Sequence, residues 1–391
     1  MIHHPFLIII FLLSVEAVIL YFSGHRRFKR YFSFLPAVFW IYFLPMLASS
    51  VGVIDSRNQV YPLIISNLLP ASLLLLLLGV DIQAILKLGK KALMMFFAGS
   101  LGIILGAPAV FFLFKKLVGN NFWSGFGALS ASWTGGSANM VAVKEALGVP
   151  DSVFLPMVVV DTIVPYVWMG FLVAASGLQA AFDKWNNSDR KILIELNNKT
   201  AGIESQEKNI FSLSRIVIIL GLTVAGSFFC QFLARRLPEI KDVISTYAWT
   251  IILVSCLGIW LSLTPLRRLE RYGTTKIGYF LLYFVLTSIG ARASLTNIGS
   301  TFILIVAGFL LVIFHAGILL LTARLIKAPM FLVAVASQAN IGGVASAPVV
   351  AEIYQPGLAS VGLLLAILGN IVGTYFGIIA GQLCRFLASG Y

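Results

Sequence analysis

Residues 131–140 read Ala-Ser-Trp-Thr-Gly-Gly-Ser-Ala-Asn-Met, so two adjacent glycines stand among polar and aromatic side chains inside an otherwise apolar run. In hydrocarbon, a backbone amide that leaves helical pairing has to meet another protein group or a polar cavity. This stretch therefore indicates a broken membrane helix at a binding site.

A second copy of the stretch begins at Gln338, and Gly342 follows Gly135 by 207 positions. Paired breaks at corresponding places are the best sequence indication of a secondary transporter's substrate site. At this fixed offset six pairs of residues are identical, namely Ser130 and Ser337, Gly135 and Gly342, Gly136 and Gly343, Ala138 and Ala345, Val143 and Val350, and Glu145 and Glu352.

The composition excludes a soluble domain. The chain has 391 residues, of which 59% are hydrophobic and 11% charged, and its mean hydropathy is +0.96. These values indicate an integral membrane protein. The net charge of +13 is carried mostly by short loops beside apolar runs, where it reports topology and not a nucleic-acid partner.

No enzyme signature occurs in the sequence. It has no phosphate-binding Gly-x-x-x-x-Gly-Lys-Ser/Thr loop, no His-Glu-x-x-His and no Gly-x-Ser-x-Gly. The three cysteines lie in apolar segments without metal-like spacing. We therefore predict a protein that is not an enzyme, has no resident cofactor, and draws on an ion gradient or on the gradient of its own solute.

Apolar runs divide the chain into two halves of similar plan. We predict an N-terminal repeat over 1–177, a polar linker over 178–210 and a C-terminal repeat over 211–391. The first repeat would contain scaffold helices within 5–80 and a core within 92–177. The second would contain scaffold helices within 211–290 and a core within 300–388.

The basic residues favour an inverted arrangement of the two repeats. With both Gly-Gly elements re-entrant, about ten helices cross the membrane, and nineteen Lys and Arg fall on the inside against eight outside. Full crossing by both elements would reverse this bias, against the positive-inside rule. The predicted fold is an all-α membrane protein of two inverted repeats with two broken or re-entrant elements.

The sequence resembles the YjcL-like family of bacterial membrane proteins over nearly its whole length. It is more distantly similar to the sodium/glutamate, 2-hydroxycarboxylate and bile-acid/sodium symporters of the cation/proton antiporter and anion transporter superfamily. The segments that carry the resemblance are Thr134–Asn139, Asp161-Thr162 and Asn340–Pro348.

This resemblance implies a core domain that grips solute and cation between the two breaks. The core would move against a scaffold domain, as in an elevator, and the scaffold would form a homodimer. The implied location is the bacterial cytoplasmic (inner) membrane, with several passes through the bilayer.

Hydroxyl, amide and freed backbone groups near the breaks are the candidate solute ligands, because together they suit an anionic group. The alternative is a Gly-Gly kink that serves close helix packing. The candidate solute-binding residues are Trp133, Thr134, Gly135, Gly136, Ser137, Asn139, Gln338, Asn340, Gly342, Gly343, Ser346, Asn370 and Thr374.

Asp161 is the most informative candidate for ion binding, because a carboxylate well inside an apolar span needs a cation, a proton or a partner charge. A buried structural hydrogen bond is the alternative. The predicted set for Na⁺ or H⁺ is Asp161, Thr162, Asn139, Glu145 and Glu352, although the last two lie near span ends where an acid reaches water. Glu16 and His315 are further isolated ionisable groups at membrane depth, candidates for a proton relay.

Three functions remain open from the sequence. The first is an ion-coupled symporter of a small anionic organic solute. The second is a cation/proton antiporter, although Asp161 is preceded by Val160 and the adjacent acids common in such antiporters are absent. The third is a membrane receptor or scaffold that transports nothing.

Overall fold

The computed structural model describes residues 1–28, 31–32, 37–188, 192–193, 195–196, 212–240, 245–292 and 301–389. Within these residues the protein is helical, and its β-structure is a single isolated bridge between Ile2 and Ile54. The principal helices are α1 Pro5–Gly24, α2 Ala37–Ser50, α3 Val60–Leu78, α4 Ile82–Leu86, α5 Lys90–Val118, α6 Trp123–Gly135, α7 Ser137–Ala146, α8 Asp151–Ala175, α9 Gln179–Asn186, α10 Leu213–Ala234, α11 Thr246–Ser262, α12 Thr274–Arg292, α13 Thr301–Ile326, α14 Met330–Ile341, α15 Gly343–Tyr354 and α16 Ala359–Ala388.

Eight described helices are long and apolar enough to cross a membrane, and the bent pair 246–262 and 265–272 makes a ninth. The all-α, multi-pass membrane fold expected from the composition is therefore confirmed. The predicted scaffold segment 5–80 includes the shorter helix α2, of 14 residues, and residues 33–36 lie outside the described part. Most of the predicted linker 178–210 also lies outside it, while its first part forms α9. Ten crossings and inverted repeats stay predictions.

The chain divides into two compact units. Unit 1 comprises 1–79, 149–162 and 209–301, and unit 2 comprises 80–148, 163–208 and 302–391. Helix α8 contributes its first half to unit 1 and its second half to unit 2. The predicted scaffold segments 5–80 and 211–290 fall in unit 1 except for Val80.

Unit 1 is built around α3, which packs against α10, α11 and α12. The second half of α3 is an unbroken buried run from Leu69 to Leu78. Two glycines allow neighbouring helices to approach it, because a Cβ on Gly278 would meet Leu76 at 3.0 Å and one on Gly258 would meet Leu77 at 2.8 Å. Small residues at such positions are typical of membrane helix interfaces.

Unit 2 is built around α16, which packs against α5, α6, α7, α14 and α15. Its contact with α6 is a seam of small residues. A Cβ on Gly373 would lie 2.5 Å from the Cα of Gly135, and one on Gly381 would lie 3.3 Å from the Cα of Gly127. The two backbones approach this closely because glycines recur every fourth residue along α16, at positions 369, 373, 377 and 381.

Candidate solute and ion site at two helix breaks

Both Gly-Gly pairs interrupt a helix in unit 2. Helix α6 ends at Gly135, and Gly136 has φ 83° before α7 begins. Helix α14 ends at Ile341, and Gly343 has φ 61° at the start of α15. The first arms begin at residues 123 and 330, also 207 positions apart, so the sequence duplication is a duplication of local structure.

Asn139 holds the first break to the last helix. Its side-chain Nδ2 donates to the carbonyl of Gly135 at 2.5 Å and to that of Asn370 at 3.4 Å. Its Oδ1 accepts a hydrogen bond from the Thr374 hydroxyl at 2.5 Å. The side chain of Asn139 therefore closes the end of α6 and ties it to α16, where Asn370 and Thr374 lie one turn apart.

Gln338 holds the second break together, and its partner across the break is Ser346, the residue that aligns with Asn139. Its Nε2 donates to the Ser346 hydroxyl at 2.7 Å, across the break, and to the carbonyl of Pro165 at 3.4 Å. Its side chain also fills the space beside Gly342, where a Cβ would collide with it. Each break is thus fastened by one amide side chain to a long helix of the other half.

The two fastenings reach related positions on the long helices but start from different arms, because Asn139 lies after the first break and Gln338 lies before the second. The segments that begin at Asp161 and Asn370 align after a two-residue shift, and this alignment places Pro165 opposite Thr374. The carbonyl of Pro165 accepts a hydrogen bond from Gln338, and the hydroxyl of Thr374 donates one to Asn139.

A buried chain of hydrogen bonds lies next to the second break. The Gly99 carbonyl accepts from His315 Nδ1 at 2.8 Å, so Nε2 is the acceptor for the Ser337 hydroxyl at 3.0 Å if the ring is neutral. Trp168 Nε1 donates to the same hydroxyl at 2.9 Å. Sequence reasoning isolated His315 but missed Ser337 and Trp168, because only the packing of α8, α13 and α14 brings them together.

Helix α9 fixes the start of the second broken element. Asp183 Oδ1 accepts from the backbone N–H of Met330 at 2.8 Å, where α14 begins without a side-chain cap of its own. Asn186 Nδ2 donates to the carbonyls of Ala323 and Ala328 at 3.1 and 2.8 Å. Both side chains are buried. They were missed because they fall in the stretch interpreted as a solvated linker.

Three fully buried side chains at the breaks each hold a polar atom without a hydrogen-bond partner. These atoms are Trp133 Nε1, Gln338 Oε1 and Asn340 Oδ1. Asn340 uses its Nδ2 to donate to Ser100 Oγ at 3.0 Å. Buried polar atoms are normally paired, so one donor and two acceptors without partners are unusual at these positions.

The remaining candidates of the first break surround it. The Thr134 hydroxyl donates back to the Ser130 carbonyl at 2.7 Å. Ser137 is partly exposed at the start of α7, which has no side-chain cap. Asn370 Oδ1 lies beside Gly136, 3.5 Å from where a Cβ would stand.

The predicted ion ligands lie in different settings. Asp161 is partly buried and Thr162, which is 8% exposed, donates to the Val158 carbonyl at 2.8 Å. Both belong to unit 1, whereas Asn139 belongs to unit 2. Glu145 forms an ion pair of 2.9 Å with the buried Lys144, and the exposed Glu352 accepts from the Gly357 N–H at 3.0 Å. The two aligned glutamates therefore have different partners.

Comparisons with known proteins agree with this fold. A family model described as "Protein of unknown function (DUF819)" matches residues 10–387. The chain is 25% identical over 354 residues to the uncharacterized membrane protein YjcL of Bacillus subtilis (strain 168), covering 85% of this chain and 86% of that protein.

Proposed function

The chain belongs to the DUF819 family of membrane proteins, and on that premise we propose that it is a secondary transporter that moves a small anionic organic solute together with Na⁺ or H⁺. The observation that carries the proposal is the pair of helix breaks at Gly136 and Gly343. Each opens the backbone inside an apolar unit, and each is fastened by an amide side chain to a long helix of the other half. Broken helices of this kind are typical of transporter binding sites.

The chemistry around the breaks supports an anionic solute with further polar groups. The uncapped starts of α7 and α15 present backbone N–H groups and a partial positive charge. Trp133 Nε1 adds a donor, while Gln338 Oε1 and Asn340 Oδ1 would accept from hydroxyl or amine groups of the solute. A carboxylate that also bears hydrogen-bond donors satisfies this set.

A group of oxygen atoms beside the first break supports the binding of a hard monovalent cation as the coupling ion. The side-chain oxygens of Asn139, Asn370 and Thr374 gather there with the carbonyl of Gly135. Within unit 1, we propose Asp161 and Thr162 as a separate pair of cation ligands, with Asp161 supplying the negative charge. Hard cations take oxygen ligands of this kind.

The division into two compact units supports transport by relative movement. Unit 2 holds both breaks, and we propose that it carries the solute while unit 1 acts as a scaffold and dimerises. The eight apolar helices and the membrane-protein relative support a multi-pass location, which we assign to the bacterial inner membrane.

Uptake by reconstituted protein tests the proposal. Proteoliposomes are given radiolabelled succinate, citrate or L-glutamate under an inward Na⁺ gradient, an inward proton gradient or neither. We expect uptake of at least one acid above that of protein-free liposomes, raised by one gradient. Uptake that ignores both gradients for every acid would contradict symport, and proton flux on adding Na⁺ alone would favour the antiporter.

A further inference from the structure

A carboxylic acid is buried in the apolar seam of the first helix. The buried residues of α1 are Ile8, Leu12, Glu16 and Ile19, which recur at helical spacing and form one face. This face packs against α2 and α12 within unit 1. Glu16 thus takes a position where its neighbours along the helix are apolar.

Glu16 has no exposed surface, and neither Oε1 nor Oε2 has a hydrogen-bond partner. An ionised carboxylate without partners in such surroundings is far more costly than a neutral acid. The charged form therefore requires this seam to open or water to enter it. The neutral form fits the seam as it stands.

The two helices that pack against α1 each carry a tyrosine of interest. Tyr283 on α12 lies close enough to Glu16 for electrostatic interaction, and its ring packs against that of Tyr279 with centroids 5.9 Å apart. On α2 the hydroxyl of Tyr42 is also buried without a partner.

Charges on these helices stand far from Tyr283. Lys276 and Arg292 on α12 are seven and nine residues away, about 10 Å and about 14 Å along a helix. Arg292 lies 3.7 Å from Asp151. Helices α1 and α2 carry no other Asp, Glu, Lys or Arg.

We propose that Glu16 is a proton-binding site in unit 1, and that it takes up and releases the coupling proton of the transport cycle. The coupling role rests on the proposed function, whereas the proton site itself does not. When the seam is closed, the acid keeps its proton. When the seam admits water, the O–H bond breaks, the proton passes to water and the carboxylate remains until it is protonated again.

A lipid-soluble carbodiimide tests the site directly in the wild-type protein. Dicyclohexylcarbodiimide adds to a protonated carboxyl in apolar surroundings, forming a C–O bond while the acid proton passes to nitrogen, and the adduct rearranges to a stable N-acylurea. The protein is reconstituted in liposomes, treated at about pH 6 and about pH 9, and mapped by mass spectrometry. The exposed Glu352 is the internal control, because its carboxylate accepts a hydrogen bond from the Gly357 N–H, whereas that of Glu16 is buried without a partner.

At about pH 6 we expect labelling of Glu16 to exceed that of Glu352 roughly tenfold. At about pH 9 we expect labelling of Glu16 to fall, because the acid loses its proton in the minority of molecules whose seam is open. A water-soluble carbodiimide should leave Glu16 unmodified. Absence of Glu16 labelling at about pH 6, or equal labelling of Glu16 by both reagents, would overturn the proton site.

Glu16→Gln tests the coupling role. Proton entry is followed with an internal pH dye while succinate, citrate or L-glutamate is added, and we expect solute-dependent proton entry to be lost. Unchanged proton entry in the variant would overturn the coupling role and leave the transporter proposal standing. If the wild type moves none of these acids while Glu16 is labelled as expected, the transporter proposal fails and the proton site stands.

Discussion

The hydroxyl of Thr374 donates a hydrogen bond to the side-chain oxygen of Asn139 across 2.5 Å, joining the first helix break to the last helix of unit 2. Both side chains are buried, so the bond is not shared with water. It fixes the amide of Asn139, whose nitrogen closes the end of α6.

Replacing Thr374 by valine should impair transport more than folding. The change leaves Asn139 Oδ1 buried without its donor, at a cost of about 1–3 kcal/mol. Thr374→Ser keeps the hydroxyl and is the matched control. Thermal unfolding in detergent and gradient-driven uptake are the measurements, and wild-type uptake by the valine variant would show that this bond does not shape the site.

Gly136→Ala should disrupt the first break. Gly136 has φ 83° and ψ 176°, a region open almost only to glycine, so a side chain there costs of order 1–3 kcal/mol. Gly317→Ala is the control, since Gly317 is helical and a Cβ there meets no atom within 4 Å. We expect uptake to fall in the first variant and to persist in the second, with both proteins compared for expression and thermal unfolding.

Gly373→Ala should lower stability through packing. The new Cβ would stand 2.5 Å from the Cα of Gly135 and 2.8 Å from its nitrogen, so α6 and α16 must separate. Such overpacking typically costs about 1–3 kcal/mol. Gly170→Ala, at a helical glycine with open space around it, should leave the unfolding temperature unchanged. A Gly373 variant as stable as the wild type would contradict the close seam.

Asp183→Ala should loosen the start of the second broken element. The carboxylate caps the first N–H of α14 from another helix, and loss of a helix cap typically costs about 0.5–2 kcal/mol. Asp183→Asn keeps an acceptor oxygen and should restore most of the stability. Thermal unfolding of the pair measures this. Equal loss in both variants would indicate that the charge, and not the cap, is what matters.

Asp161→Asn should weaken the dependence of uptake on cations more than it weakens folding. The change removes the charge and keeps a side-chain oxygen, so a neutral ligand set would bind Na⁺ less tightly. The first measurement is the Na⁺ concentration that gives half-maximal uptake, which should rise in the variant. The second is the unfolding temperature, which should remain that of the wild type. An equal loss of folded protein would support a structural role for Asp161.

The sequence was sufficient for the features that depend on local pattern. The helix breaks at Gly136 and Gly343 follow from glycine pairs in apolar runs, and the multi-pass helical fold follows from hydropathy. The YjcL-like family membership is likewise confirmed. Asn139, Asn370 and Thr374 were predicted separately, and the structure brings them together at the first break.

Other features depend on tertiary contacts and could not be predicted. Glu145 and Glu352 are identical in the alignment, yet one pairs with Lys144 and the other holds a turn, because neighbouring residues differ. Ser337 joins His315 to Trp168 only when three helices pack. The sequence shows the glycines that recur every fourth residue along α16, but it does not show that α6 is the helix that packs against them.

Gradient-driven uptake by proteins altered at either break tests the central claim most directly. Wild type, Gly317→Ala, Asn139→Leu and Gln338→Leu are reconstituted at equal density and given succinate, citrate or L-glutamate under Na⁺ and proton gradients. The account predicts that wild type and Gly317→Ala accumulate at least one acid, and that both break variants fold but accumulate none. Accumulation by the break variants at the wild-type rate would contradict a binding site at the two breaks.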